Sequence, residues 1–71
     1  MGIRSLRNSI GKRIKFLRLE KGLSQEKLAE CVNISREHIS CIERGKNSIN
    51  IDTLYELTEF FEIKLKDFFD F

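Results

Sequence analysis

Leu23-Ser24-Gln25-Glu26-Lys27-Leu28-Ala29-Glu30-Cys31-Val32-Asn33-Ile34-Ser35-Arg36-Glu37-His38-Ile39-Ser40-Cys41-Ile42-Glu43-Arg44-Gly45 reads as two short helices joined by a tight turn. Ser24 stands where a helix N-cap belongs, since its hydroxyl can accept from the free backbone N–H groups of the next turn, and Glu26 suits the positive helix end. A helix over residues 25–32 follows. Asn33 tolerates the left-handed backbone of a tight turn, and Ser35 is placed to cap a second helix over 36–44, ending before Gly45. Ile39 and Ile42 share its inner face, which leaves Arg36, Glu37, Ser40 and Cys41 on the outer one. Ala29 is small where two helices must approach closely, and Ile34 lies just after the turn. A helical hairpin whose second member is apolar beneath and polar outside matches the unit that lays a recognition helix in the DNA major groove, a general pattern that any helical hairpin can share.

Outward from this unit, about residues 24–44, the rest of the chain also reads as helix. Proline is absent and glycine is confined to positions 2, 11, 22 and 45, so breakers are few. Ile10, Ile14, Leu17 and Arg18 recur at helical spacing and predict a first helix over about 8–21. A polar loop, Lys46 to Ser48, leads to Asn50 as the cap of a fourth helix with Leu54, Leu57 and Phe61 as its buried stripe. A short fifth helix over about 65–69 places Leu65, Phe68 and Phe69 against the rest. The expectation is an all-α, compact five-helix fold forming one domain over 1–71, with the C-terminal helices, about 51–69, serving core and dimerisation.

Composition narrows the function. The chain has 71 residues, 41% hydrophobic and 34% charged, the balance of a folded domain rather than a disordered segment. No apolar run reaches the roughly 18 residues of a membrane span, and no N-terminal signal stretch is evident, so the cytoplasm is the expected compartment. The formal charge of +2 hides a polarity along the chain. Residues 1–46 hold eleven Lys or Arg against five Asp or Glu, a balance of +6, whereas residues 47–71 hold two against six, a balance of −4. A basic part suits a polyanion, and an acidic part must face elsewhere. Cys31 and Cys41 have no CxxC or histidine cluster around them, so neither zinc nor a disulfide is expected. The single histidine has no evident nucleophile partner and no phosphate loop is present. No enzyme, cofactor or small-molecule ligand is expected.

Three motifs, Ile14-x-x-Leu17-Arg18, Gly22-Leu23-Ser24-Gln25-x-x-Leu28-Ala29 and Ile34-Ser35-Arg36-x-x-Ile39-Ser40-x-Ile42-Glu43-Arg44-Gly45-Lys46, resemble the Xre family of Cro and CI type regulators. Asp52-Thr53-Leu54 and Leu65-Lys66-Asp67-Phe68-Phe69 resemble its fourth and fifth helices. The resemblance implies a lambda-repressor-like domain and double-stranded DNA as partner. The stand-alone size is similar to that of restriction-modification controller proteins, small phage repressors and some antitoxins. Two positions depart from the family pattern: Asn33 replaces the usual turn glycine, and Ile49 a common proline.

Candidate roles follow from position. Arg36, at the start of the recognition helix, can bond guanine O6 and N7 together; the alternative is a solvated arginine. Glu37 either accepts from a cytosine amino group or only favours the helix N-terminus. Ser40 and Cys41 are small enough to meet phosphate, base edges or a thymine methyl. Ser35, Arg44, Lys46, Asn47 and, from the first helix, Arg13 are candidates for phosphate, contacts that set register and salt dependence without reading sequence; His38 either touches phosphate or a base from the edge of this surface or is a surface histidine with no special task. By resemblance, Gln25 binds phosphate, and Arg18 and Glu43 form a partly buried structural salt bridge. Six Phe and one Tyr exceed what so small a core can bury. Tyr55, Phe60 and Phe71 are therefore expected on an outer, acidic face that suits a twofold interface. The leading expectation is a homodimeric regulator that reads a palindromic or near-palindromic operator; the alternative is an interaction module that keeps the fold without specific DNA binding.

Overall fold

The computed structural model describes residues 2–46 and 48–71. Five helices are formed by the described residues, and no strand: α1 (Ile3–Glu20), α2 (Gln25–Val32), α3 (Arg36–Glu43), α4 (Ile51–Phe60) and α5 (Leu65–Phe68). Three of them are capped by the expected side chains. Ser24 accepts from the Lys27 N–H and Ser35 from the His38 N–H, each at 3.0 Å, and Asn50 Oδ1 accepts from the Thr53 N–H at 2.8 Å. Replacing such caps costs about 1 kcal/mol each.

The first helix begins five residues earlier than the sequence suggests. Gly2 caps it without a side chain, so no cap residue marks the start. The apolar row does, because Leu6 continues Ile10, Ile14 and Leu17 at helical spacing and packs against the core.

Four helix ends are closed by a residue with positive φ: Gly22 (68°), Asn33 (57°), Gly45 (70°) and Glu62 (56°). Asn33 thus fulfils the turn for which the family uses glycine. Glu62 is the misfit, since a non-glycine residue in this region is strained by about 1–2 kcal/mol. Glu62→Gly is expected to stabilise the domain by about 0.5–1 kcal/mol and to raise Tm by a few degrees. A lower Tm in calorimetry would contradict this reading of the turn.

The core joins Ile10 and Ile14 of α1, Leu28, Ala29 and Val32 of α2, Ile39 and Ile42 of α3, Leu54 and Leu57 of α4, then Phe61 and Phe68. Each fully buried Ile, Leu or Phe contributes about 1.5–3 kcal/mol relative to exposure. The tail differs from expectation. Phe68 is fully buried, but Leu65 and Phe69 remain 40% and 39% exposed, because a single four-residue turn points only one side chain inward. Phe60, expected outside, is half-buried against the core, edge-on to Phe61 with ring centroids 5.2 Å apart and Lys21 Nζ 5.7 Å from its ring. It sits three residues after Leu57, one turn along the buried row. Tyr55 and Phe71 are exposed as expected, at 54% and 51%. No helix of the described residues is long and apolar enough to cross a membrane.

Candidate nucleic-acid interface

The caps of α2 and α3 leave further first-turn N–H groups of both helices free to bind an anion, and the helix dipoles add to the attraction. Arg36 and Glu37 begin α3 and are exposed, while His38, Ser40 and Cys41 are half-buried. Arg44 folds back along the far end of α3: its Nε donates to the Ser40 carbonyl at 3.3 Å and its Nη2 lies 3.6 Å from Cys41 Sγ. A guanidinium therefore stands at each end of the outer face, and the small residues Ser40 and Cys41 lie between them. That profile lets a groove floor approach the middle of α3 while both ends offer donors.

Beneath this face lies a buried ionic cluster. Arg18 Nε donates to Glu43 Oε2 at 2.7 Å and Nη2 to Oε1 at 3.0 Å, with side chains only 9% and 3% exposed. Arg18 Nη1 also donates to the Leu23 carbonyl at 2.7 Å. The pair joins α1, α3 and the α1–α2 turn, which is the structural role its resemblance implies. Glu43 Oε1 further accepts from Gln25 Nε2 at 3.0 Å, and Gln25 Oε1 accepts from Arg36 Nη1 at 3.5 Å. A line of hydrogen bonds thus runs from the core to Gln25, which meets the first residue of the recognition helix only at the limit of hydrogen-bond distance. Glu43 fixes which way the Gln25 amide faces, with its Oε1 toward Arg36.

This line lay beyond sequence reasoning. It spans three helices, and only the Arg18–Glu43 end of it had a family resemblance to signal it. The Gln25 side chain lies between Glu43 and Arg36, and its backbone N–H stands at the first position of α2.

The remaining candidates divide. Ser35 is engaged as a cap, Lys46 follows the end of α3, and Asn47 lies outside the described residues. Arg13 is engaged elsewhere, its Nη2 donating to the Asp67 carbonyl of α5 at 3.4 Å. Arg18–Glu43 is the one ion pair among the described residues. Arg36, Arg44 and Lys46 accordingly have no acid neutralising them there.

The helix-turn-helix family profile matches residues 14–68, which run from Ile14 of the first helix through the buried ion pair and the α2–α3 hairpin to α5. The chain belongs to the helix-turn-helix family. As a family member it is 34% identical over 68 residues to the control protein C.BamHI of Bacillus amyloliquefaciens, a match covering 94% of this chain and 84% of that one. Its fold is similar to that of the restriction-modification controller protein C.AhdI from Aeromonas hydrophila, with a TM-score of 0.88, 28% identity, and coverage of 97% of this chain and all of the other. The controller protein C.Esp1396I, solved as a tetramer with its natural 35 base-pair operator, gives a TM-score of 0.80 at 37% identity, covering 92% and 86%.

Proposed function

We propose that this helix-turn-helix chain is a cytoplasmic transcription regulator that binds duplex DNA sequence-specifically as a homodimer. The observation that carries the reading is the outer face of α3: an exposed guanidinium at its start, Arg36, another at its far end, Arg44, and the small Ser40 and Cys41 between them, with no ion pair to either arginine among the described residues. An arginine so placed can form two hydrogen bonds to guanine O6 and N7, which discriminates that base from the others. Glu37, Ser40 and Cys41 are the neighbouring base-facing residues. The backbone N–H groups at Gln25 and beside Ser35 hold phosphates, as do His38, Arg44 and Lys46.

Mutation separates these roles. Arg36→Ala is expected to relax the preference at one base pair, about 1–3 kcal/mol of discrimination, while Lys46→Ala weakens all sequences together. Competition binding against single-base operator variants measures both, and equal, sequence-independent losses from the two substitutions would refute the division.

Dimerisation is supported by the exposed apolar side chains of the acidic part. Ile51 and Tyr55 lie one turn apart on α4, and Leu65, Phe69 and Phe71 surround α5, with the last two rings 5.9 Å apart. The Tyr55 hydroxyl donates to Glu59 Oε1 at 3.2 Å, and the charge of that carboxylate and this bond raise its phenol above the usual tyrosine range. A twofold pair would set two α3 helices about 34 Å apart, in successive major grooves of a palindrome. Tyr55→Glu is expected to shift sedimentation toward the monomer; an unchanged mass would move the interface to another surface, such as the exposed Phe16 and Leu19 of α1.

A further inference from the structure

The early start of α1 builds a second feature. Arg4, Arg7 and Asn8 form one wall of a cleft of about 420 Å³, and Arg44, Gly45 and Lys46, the loop after the recognition helix, form the other. Among the described residues, four cations and no acid line it. The two walls are fitted to each other. Gly45, at φ 70°, lies so close to Asn8 that a Cβ there would overlap the Asn8 side chain, and Arg7 Nη2 donates to Ser48 Oγ of the same loop at 2.8 Å. Leu6 and Ile49 pack against the core beside Ile10 and Ile42, and with Ile3 they line an apolar pocket next to the cleft. The Arg7 Nε is buried without a hydrogen-bond partner among the described residues. Like charges held together in this way repel, and nothing in the cleft offsets the repulsion, so the arrangement favours an anion between the walls.

Position identifies the anion. Residue 44 follows Arg36 by eight positions, so at about 1.5 Å per residue the cleft lies roughly 12 Å further along α3, comparable to the width of the major groove. With Arg36 at the bases, the cleft reaches the sugar-phosphate backbone at the groove edge. We infer that the start of α1 and the loop after α3 together form a phosphate clamp, in which Arg4, Arg7, Arg44 and Lys46 grip the backbone of duplex DNA beside the bases read by α3. The inference rests on the duplex-binding part of the proposed function. It gives Arg4, Arg7 and Asn8 a role in affinity and salt dependence and none in base preference.

The test is a salt titration, from about 50 to 200 mM, of wild-type protein, Arg4→Ala, Asn8→Asp and Lys15→Ala on two probes: a duplex enriched from random sequence by the wild type, and a scrambled duplex. Arg4 is exposed and has no side-chain hydrogen bond among the described residues, and Asn8→Asp keeps the size of the side chain. Lys15 is exposed on α1 outside the cleft and controls for the loss of one charge. For each phosphate that the protein no longer neutralises, the fall in affinity across this range should shrink by about 3.5-fold, since the logarithmic slope changes by about 0.9 per phosphate. Arg4→Ala is expected to show this on both probes, Asn8→Asp to bind both more weakly, and Lys15→Ala to follow the wild type. Equal slopes for Arg4→Ala, Lys15→Ala and wild type would overturn the clamp and leave the proposed function standing if a sequence is still enriched. A reduced slope for Arg4→Ala with no sequence enriched would do the reverse, and failure of wild type to bind either duplex would overturn both.

Discussion

Arg18→Ala is expected to lower the free energy of unfolding by about 3–5 kcal/mol, measured by urea or thermal denaturation. The arginine makes two hydrogen bonds to Glu43 and one to the Leu23 carbonyl. Its removal leaves the Glu43 carboxylate, whose side chain is only 3% exposed, with Gln25 alone to compensate its charge. A domain of this length has a total stability of roughly 4–11 kcal/mol, so the variant would sit near the edge of folding. The loss reflects a stranded charge more than the net worth of the pair. The double replacement Arg18→Met with Glu43→Leu should therefore recover a large part of it, because a buried pair can often be exchanged for apolar side chains at little cost. A loss below about 1 kcal/mol, the range of exposed pairs, would show that the pair is solvated. Partial variants add a local consequence: in Arg18→Lys, which keeps the charge but loses the two-point geometry, the hold of Glu43 on Gln25 is disturbed while the fold persists.

Gly11→Ala should also destabilise, by about 2–4 kcal/mol, although helix propensity alone argues for a gain of about 1 kcal/mol. Gly11 is buried inside α1, facing the end of α3. A Cβ there would meet the Ile42 carbonyl oxygen, and would lie 2.6 Å from the Glu43 carbonyl oxygen and 2.9 Å from its carbon. These are backbone atoms and cannot rotate aside. The helices must separate, and α3 moves with Glu43, so the buried ion pair stretches along with the local packing. The opposite signs expected from propensity and from packing make the experiment decisive. A rise in Tm for Gly11→Ala would mean that α1 and α3 are further apart than described.

The reasons for what was legible in the sequence are local. Ser24, Asn33, Ser35 and Asn50 act within three residues of themselves, as caps or a turn, so their chemistry is visible in a linear string. Ile39, Ile42, Leu54, Leu57 and Phe61 show their faces by spacing alone. Packing between helices is less visible. Gly11 looks like a breaker until α3 is found against it, and only a helix-interior glycine that seems to cost stability hints at a packing cause. Gln25 is a polar residue at a helix start, and its bonds to Glu43 and Arg36 depend on how three helices meet. Phe60 and Leu65 fell on the wrong side of the surface because burial at the ends of short helices depends on the turn that follows, and Glu62 gives no sign of adopting a left-handed backbone. The charge polarity was readable as a composition, but the cleft between Arg4 and Lys46 needed the early start of α1.

The central claim is that the α3 face reads base sequence, and selection of binding sites from random duplex DNA by the wild-type protein tests it most directly. The expected result is enrichment of a palindrome or near-palindrome, with half-sites about 10 base pairs apart centre to centre and a guanine within each half-site whose preference is lost in Arg36→Ala. Recovery of no sequence above the starting pool, with affinity unchanged between selected and random duplexes, would contradict it.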